Sequence, residues 1–293
     1  MKVYFTDKRR LYWVREISKW VDRIPLNTSN EKKELQIFLD SNITKNDFSP
    51  FHIVLLSCFI SFIESKGYDV NCYISDNNLH SFISNNLFLD RYINEKSTTY
   101  IKETEDNNLN LWKIVDNRAK EYSIRLTEYL QRNYFKNLDL SGVQNTLDEV
   151  YANVADHAKA NGIAFSYINY NPTDRRIKFA VCDFGLGIPT TLRSAYPTIG
   201  DDSQALKNST DIGITSKSNS HNRGFGLDNV LSNLMDDGNL CIISNKAMLL
   251  CKGNKINMKT YPLDFEFKGT LIYFEIPVDS FEVEETIDFD IEL

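Results

Sequence analysis

The sequence predicts an α/β protein built from two units, and three observations carry that reading. Over residues 1–95, short apolar runs rich in β-forming residues alternate with stretches of helix length and helix-like patterning. After residue 120 two helical segments come first and a series of strands follows. Between the two patterns, residues 96–122 are polar, reading NEKSTTYIKETEDNNLNLW with the residues just before them, and mark the junction.

In the first unit the order is a strand at 2–5 (KVYF), a helix over 9–23 and a strand at 35–39 (LQIFL), then a helix over 49–66, a strand at 70–75 (VNCYIS) and a helix over 78–87. Ser49 followed by Pro50 is a helix-start signal, with serine as the cap and proline at the first helical position. Nothing in this half resembles a phosphate loop or a nucleophile motif, so it reads as a small α/β regulatory or partner-binding domain. In the second unit, residues 123–278, helices are predicted at 120–135 and 140–160. Strands are predicted at 163–170, 176–182, 239–244, 247–251, 255–260 and 269–276. The stretch 184–238, rich in Gly, Ser, Asn and Thr as far as residue 224, is longer than an ordinary connection and reads as a lid or an irregular loop.

Bulk properties exclude several classes of function. The longest apolar run, Ile53 to Ile63, is broken by Ser57 and Ser61 and closed by Glu64, short of the ~20 residues of a membrane span. The N-terminus, MKVYFTDKRR, has no signal-peptide pattern, so the cytoplasm is the expected compartment. Five cysteines, without a CxxC pair, indicate neither a disulfide framework nor a zinc site. The four histidines lack metal-ligand spacing, so any metal is expected to arrive with a ligand. The net charge of −7 resides in residues 279–293, which hold seven acidic groups and no basic one, leaving a neutral body that is not expected to bind nucleic acid. This tail reads as a solvated end or, because Phe281, Val283, Ile287, Phe289 and Ile291 alternate with the acids, as a partner-binding segment.

The residues that suggest chemistry fall in the second unit. On the helix ending near His157, Leu147, Val150, Val154 and Ala158 recur at helical spacing and form a core face. Glu149, Asn153 and Asp156 stack on another face. A carboxylate one turn before a carboxamide can activate water while the amide oxygen holds Mg²⁺, although a solvated helix face would have the same spacing. Asp183-Phe-Gly185-Leu-Gly187-Ile-Pro189 follows the alternating strand Ile177, Phe179, Val181. An acid at a strand end can accept from an exocyclic amine, and the two glycines let backbone approach a flat ring or a phosphate. Arg223-Gly224-Phe-Gly226-Leu227 opens a helix whose first amides can cradle phosphate.

Taken in order, Glu149-Val-Tyr-Ala-Asn153-Val-Ala-Asp156-His157, DFGLGIP, RGFGL and Gly269-Thr270 resemble the four nucleotide-binding boxes of the gyrase, heat-shock chaperone, histidine kinase and MutL (GHKL) superfamily. The resemblance covers about half of the chain, and what it implies is an α/β sandwich with helices on one face of a mixed sheet, binding ATP with Mg²⁺. It implies Glu149 as general base, Asn153 as magnesium ligand, Asp183 as the acid that recognises the adenine amine, and Thr270 beside it through a water. Gly185 and Gly187 match the hinge beneath the nucleotide, Gly224 and Gly226 the phosphate loop with Leu227 opening its helix, and 190–223 the ATP lid. In the lid, Thr215, Lys217 and Arg223 could face the phosphates. Asp156 and His157 read as supporting groups or helix surface.

Three functions share such a pocket. The first is an ATPase whose lid closure changes how the chain meets a protein partner. The second is a serine/threonine kinase of the anti-sigma-factor type, and the third a nucleotide sensor that does not hydrolyse. A sensor histidine kinase is disfavoured because His52 precedes Ile53 and His80 precedes Ser81, neither forming an acceptor motif. The superfamily resemblance also implies a homodimer.

Overall fold

In the first unit the buried positions alternate along the first two strands, Val3 and Phe5, then Leu35, Ile37 and Leu39, as one covered sheet face requires. The computed structural model describes residues 1–28, 33–87, 111–114, 118–157, 163–211, 226–232, 234, 237–253 and 255–281. In it, Lys2–Phe5 (β1), Lys33–Leu39 (β2) and Tyr68–Ile74 (β3) pair in parallel in the order β1-β2-β3. Parallel neighbours need crossovers, which Arg10–Arg23 (α1) and Pro50–Ser65 (α2) provide. A short helix, Asn77–Ser81 (α3), follows, with the Asp76 side chain accepting from the Leu79 amide at 2.7 Å.

α2 starts as the Ser49-Pro50 signal predicts, with Ser49 at the cap and Pro50 in the first turn, where its missing N–H leaves no hydrogen bond unmade. His52 strengthens this start. Its Nδ1 accepts from the Ser49 N–H at 3.3 Å, while Nε2 lies 3.1 Å from the Lys8 carbonyl oxygen. An acceptor role at one nitrogen and a carbonyl at the other fix the neutral form that carries its proton on Nε2. The rings of Trp13, Phe48 and Phe51 surround the imidazole. This burial pushes its pKa down to about 4.

The second unit contains Trp112–Lys113 (β4), Ala119–Asn133 (α4), Ser141–His157 (α5), Ala164–Asn171 (β5) and Arg176–Asp183 (β6). It continues with Ile188–Ala195 (α6), Asp202–Asn208 (α7), Gly226–Ser232 (α8), Asn239–Lys252 (β7) and Lys259–Pro277 (β8). The strand order is β4-β5-β6-β8-β7. Among the described residues the mixed sheet implied by the resemblance is not found: every pairing they make in this sheet is antiparallel. The reason is its construction from two hairpins, β5–β6 and β7–β8, set side by side with β8 against β6. The strands expected at 239–244 and 247–251 are one strand interrupted by a bulge between Ser244 and Ala247. β8 likewise joins the region around 260 to that around 270.

The sheet also has more layers than a two-layer sandwich. Ile168, Ile177, Phe179, Val181, Ile272 and Phe274 pack with α4, α5 and α8 on one face. Phe165, Tyr167, Ala180, Cys182, Leu271 and Tyr273 point to the other, where they join one core with α1, α2 and the three-stranded sheet. Strands covered on both faces read as nearly continuous apolar runs, which is how Phe179–Cys182 of β6 and Leu271–Phe274 of β8 read. Across this contact the Arg10 guanidinium lies 4.1 Å from the Tyr273 ring centroid and donates to its hydroxyl at 2.9 Å. Arg15 pairs with Asp264 and Lys268 with Asp22, each at 2.7 Å, on the exposed rim.

Within the stretch expected to be irregular, α6 and α7 are regular helices packed on β7, with Leu192, Ala205 and Leu206 buried and Arg193 paired to Asp202. No helix among the described residues is long and apolar enough to cross a membrane.

A buried neutral histidine ties stability to pH. With a folded pKa of about 4, below the ordinary 6.5, His52 takes up its proton more readily in the unfolded chain. Its contribution is therefore complete above pH 6.5 and is lost as pH falls through 4, about 3 kcal/mol in all. Urea denaturation of wild type and of His52→Gln at pH 7.0, 5.5 and 4.5 checks this: the gap between the two proteins should shrink as pH falls.

Candidate functional site

At the end of β6 the register places three polar residues on adjacent strands, Asp183 opposite Thr270 of β8 and Thr270 opposite Ser244 of β7. Alternation along the strands puts Asp183 on the same face as Ile177, Phe179 and Val181, and Thr270 on that of Ile272 and Phe274, which is the face covered by α5 and α8. The three side chains form a buried polar row, exposed by only 3%, 8% and 0% for Asp183, Thr270 and Ser244.

Hydrogen bonds hold this row firmly. One Asp183 carboxylate oxygen accepts from the Gly185 amide at 2.8 Å, and the carboxylate also accepts from the Thr270 amide. The Ser244 hydroxyl donates to the Gly269 carbonyl at 2.8 Å, accepts from the Ile188 amide at 2.9 Å and lies 3.1 Å from Thr270 Oγ1. Since the Ser244 proton is used at Gly269, Thr270 is the donor in that last pair. Backbone donors favour the ionised Asp183, but burial outweighs them and raises its pKa to about 7.

The loop after Asp183 is fixed by its neighbours. Gly187 has φ +82°, and a Cβ there would sit 2.5 Å from Asn245 Oδ1. Gly269 has φ +109°, and a Cβ there would collide with the Asp183 carbonyl oxygen and lie 2.8 Å from the Gly185 nitrogen. Asn245 is itself left-handed, at φ +49°, a conformation that asparagine tolerates better than most residues. Its side chain donates to the Leu186 carbonyl at 3.1 Å and accepts from the Thr190 amide at 3.3 Å and hydroxyl at 3.2 Å. The bulge of β7 thus points Asn245 at both ends of Leu186–Thr190 and Ser244 at Ile188 between them.

The other predicted residues are placed unevenly. Glu149 and Asn153 lie half-buried on α5, whose Leu147, Val150 and Val154 form the predicted core face. Tyr151 anchors that helix, its hydroxyl 2.8 Å from Ser166 Oγ of β5 and its ring edge-on to Phe179 of β6. The residues after α5 return to the sheet at Ile163, whose carbonyl accepts from the Phe184 amide at 3.0 Å. The six-residue step from His157 to Ile163 spans at most about 20 Å, which keeps the last turn of α5 within that distance of the Ile163 carbonyl that anchors the Asp183 loop. α8 includes Gly226, one residue before the Leu227 expected to open it, and Leu227 is buried against the α5 core. Ala158, Thr215, Lys217, His221, Arg223 and Gly224 lie outside the described residues, as does most of the predicted lid beyond Asp211.

Ser244 and Asn245 are the site residues that sequence reasoning missed. Their signal was the polar triplet Ser244-Asn245-Lys246 interrupting the apolar run from Leu240 to Leu250. Two surface crevices lie apart from this loop, one of about 470 Å³ at the carboxyl ends of β1–β3 and one of about 400 Å³ beside Phe135 and Val278. Among the described residues no group of three or more His, Cys, Asp or Glu side chains is placed to hold a metal ion by itself.

Compared with models of known protein families and with curated proteins, the chain matches none.

The steric limits at this loop are measurable. Gly269→Ala should destabilise the fold by roughly 3 kcal/mol or more, because it forces both a clash and a left-handed alanine. Asn245→Ala should cost about 1–3 kcal/mol by leaving the Thr190 amide and the Leu186 carbonyl without their partner. Gly200→Ala, where no atom lies within 4 Å of the added carbon, is the control. It should stay within about 0.5 kcal/mol in urea denaturation.

Proposed function

We propose that the row Asp183, Thr270 and Ser244 is the base-recognising end of an adenine-nucleotide pocket of the GHKL type, and that the chain is a Mg²⁺-dependent ATPase. The observation that carries this reading is the buried Asp183 carboxyl, held among the described residues by backbone amides alone and aligned with the face on which α5 lies. Keeping a carboxylate there is costly unless a further donor reaches it, and an exocyclic amine is such a donor.

On this reading, Asp183 accepts from the adenine amine and Thr270 supports the contact. Gly185 and Gly187 let the loop pass beneath the base. Glu149 orients or deprotonates the attacking water. Asn153 contributes its amide oxygen to Mg²⁺, whose remaining ligands are phosphate oxygens and water, the usual way this ion is held. Gly224, Gly226 and the amides opening α8 contact phosphate, with Thr215, Lys217 and Arg223 closing over it. Lid closure would then change how the chain meets a protein partner or a second copy of itself.

Incubation with γ-labelled ATP and Mg²⁺, following free phosphate and labelled protein separately, tests the reaction class. Wild type should release phosphate, and Glu149→Ala should bind ATP with unchanged affinity but release none. Label transferred to a serine or threonine of an added protein would instead favour the kinase. Retained, intact ATP would favour a sensor.

The base contact predicts a pH dependence of known sign. Because Asp183 titrates near 7 without ligand and must be ionised to accept from the amine, ATP binding should tighten as pH rises from 6 to 8, by about tenfold. Asp183→Asn, which does not titrate, sets the baseline for the nucleotide's own ionisation. That variant should also bind ATP more weakly and discriminate less against GTP.

A further inference from the structure

Three side chains of α2, Phe51, Cys58 and Phe62, meet the second unit at successive points. The Phe51 ring is edge-on to Tyr273 at 6.1 Å between centroids. The Cys58 thiol donates to the Cys182 carbonyl at 3.1 Å. Phe62 is edge-on to Phe184 at 5.9 Å, and Phe184 to Phe267 at 5.8 Å. Positions 51, 58 and 62 recur at helical spacing, so they form one stripe along α2.

The last two contacts bracket Asp183. Strand alternation turns its side chain toward α5, and those of Cys182 and Phe184 toward α2. Cys182 is fully buried and Phe184 partly so, both within the core that α2 shares with the sheet. The backbone on either side of Asp183 is therefore clamped from behind by a helix of the first unit, while β5 and β8 hold it from the two sides within the sheet.

We infer that α2, through Phe62 and Cys58, is the positioning element for Asp183, so that base recognition requires residues 1–87 as part of the site. This rests on the reading of Asp183 as the base-recognising acid. It recasts the first unit: the part expected to be a separate regulatory domain is the back wall of the loop that meets the ligand. Phe62 touches neither substrate nor reacting atoms in this account and acts through Phe184.

The titration of Asp183 reports this positioning without any nucleotide. Among the described residues the groups that face it are the amides of Gly185 and Thr270, with the Cys182 thiol and its Cys58 neighbour behind, and no described Lys or Arg contributes to its raised pKa. Its proton affinity therefore follows how completely the surrounding wall excludes water.

The test uses the full chain, with ¹³C-detected titration of the Asp183 carboxyl and ATP and GTP affinities measured side by side. In Phe62→Ala the Asp183 midpoint should fall from about 7 toward the ordinary carboxylate range, and ATP binding should weaken at least tenfold. Phe62→Tyr, which keeps the ring, should restore both. Val21→Ala, in the α1 core away from the loop, should lower the melting temperature without moving the midpoint. If Phe62→Ala loses its cooperative unfolding transition, Phe62→Leu carries the same comparison. An Asp183 midpoint in the ringless variant equal to wild type would overturn the inference. If wild type binds no ATP yet the midpoint still moves, the positioning role stands and the nucleotide reading fails.

Discussion

A carboxylate buried at the end of a central strand is the constraint around which this structure is arranged. Asp183 is almost fully enclosed, and an ionised group there is tolerated only if every nearby donor is used. The chain supplies amides from Gly185 and Thr270, and it brings Thr270 close enough by placing glycine at 269, where any side chain would strike the Asp183 backbone. Ser244 and Asn245 then lock the following loop from the neighbouring strand. The carboxyl still sits near neutrality in its proton affinity, poised so that one further donor would shift it.

Meeting that constraint needs a rigid frame on both sides of the sheet. On the front, α5 is pinned by Tyr151 against β5 and β6, which carries Glu149 and Asn153 over the same face as Asp183. On the back, α1 and α2 fill the second face, with Arg10 packed on Tyr273 and Phe62 against Phe184. The exposed ion pairs at the rim, Arg15 with Asp264 and Lys268 with Asp22, add little energy by comparison and are better regarded as fixing orientation. Apolar burial along β6 and β8, closed on both faces, provides most of the cohesion.

Much of this was legible in the sequence, and the parts that were not have physical reasons. Element order and type could be read because each helix and strand carries its own periodicity, and the start of α2 because Ser49-Pro50 is a local signal. The Asp183 loop was legible because its glycines answer a local backbone need. The back layer was not foreseen, although it left a trace. Ala180 and Cys182 flank Val181, at positions where a strand with one solvated face would carry polar residues, as Lys178 does nearer its start. The sheet's antiparallel pairing was missed because it is decided by long-range contacts between hairpins. Asn245 was missed because its role depends on a bulge that aims it at a loop more than fifty residues away in the chain.

Whether an adenine base is read at Asp183 and Thr270 is decided by amide spectra recorded with a non-hydrolysable ATP analogue and Mg²⁺, beside the corresponding GTP analogue. The account predicts that the Gly185 and Thr270 amides, both bonded to the Asp183 carboxylate, shift with the adenine compound and remain in place with the guanine one. If those two amides stay still while others move, the nucleotide binds elsewhere. If both analogues shift them equally, Asp183 does not distinguish the base.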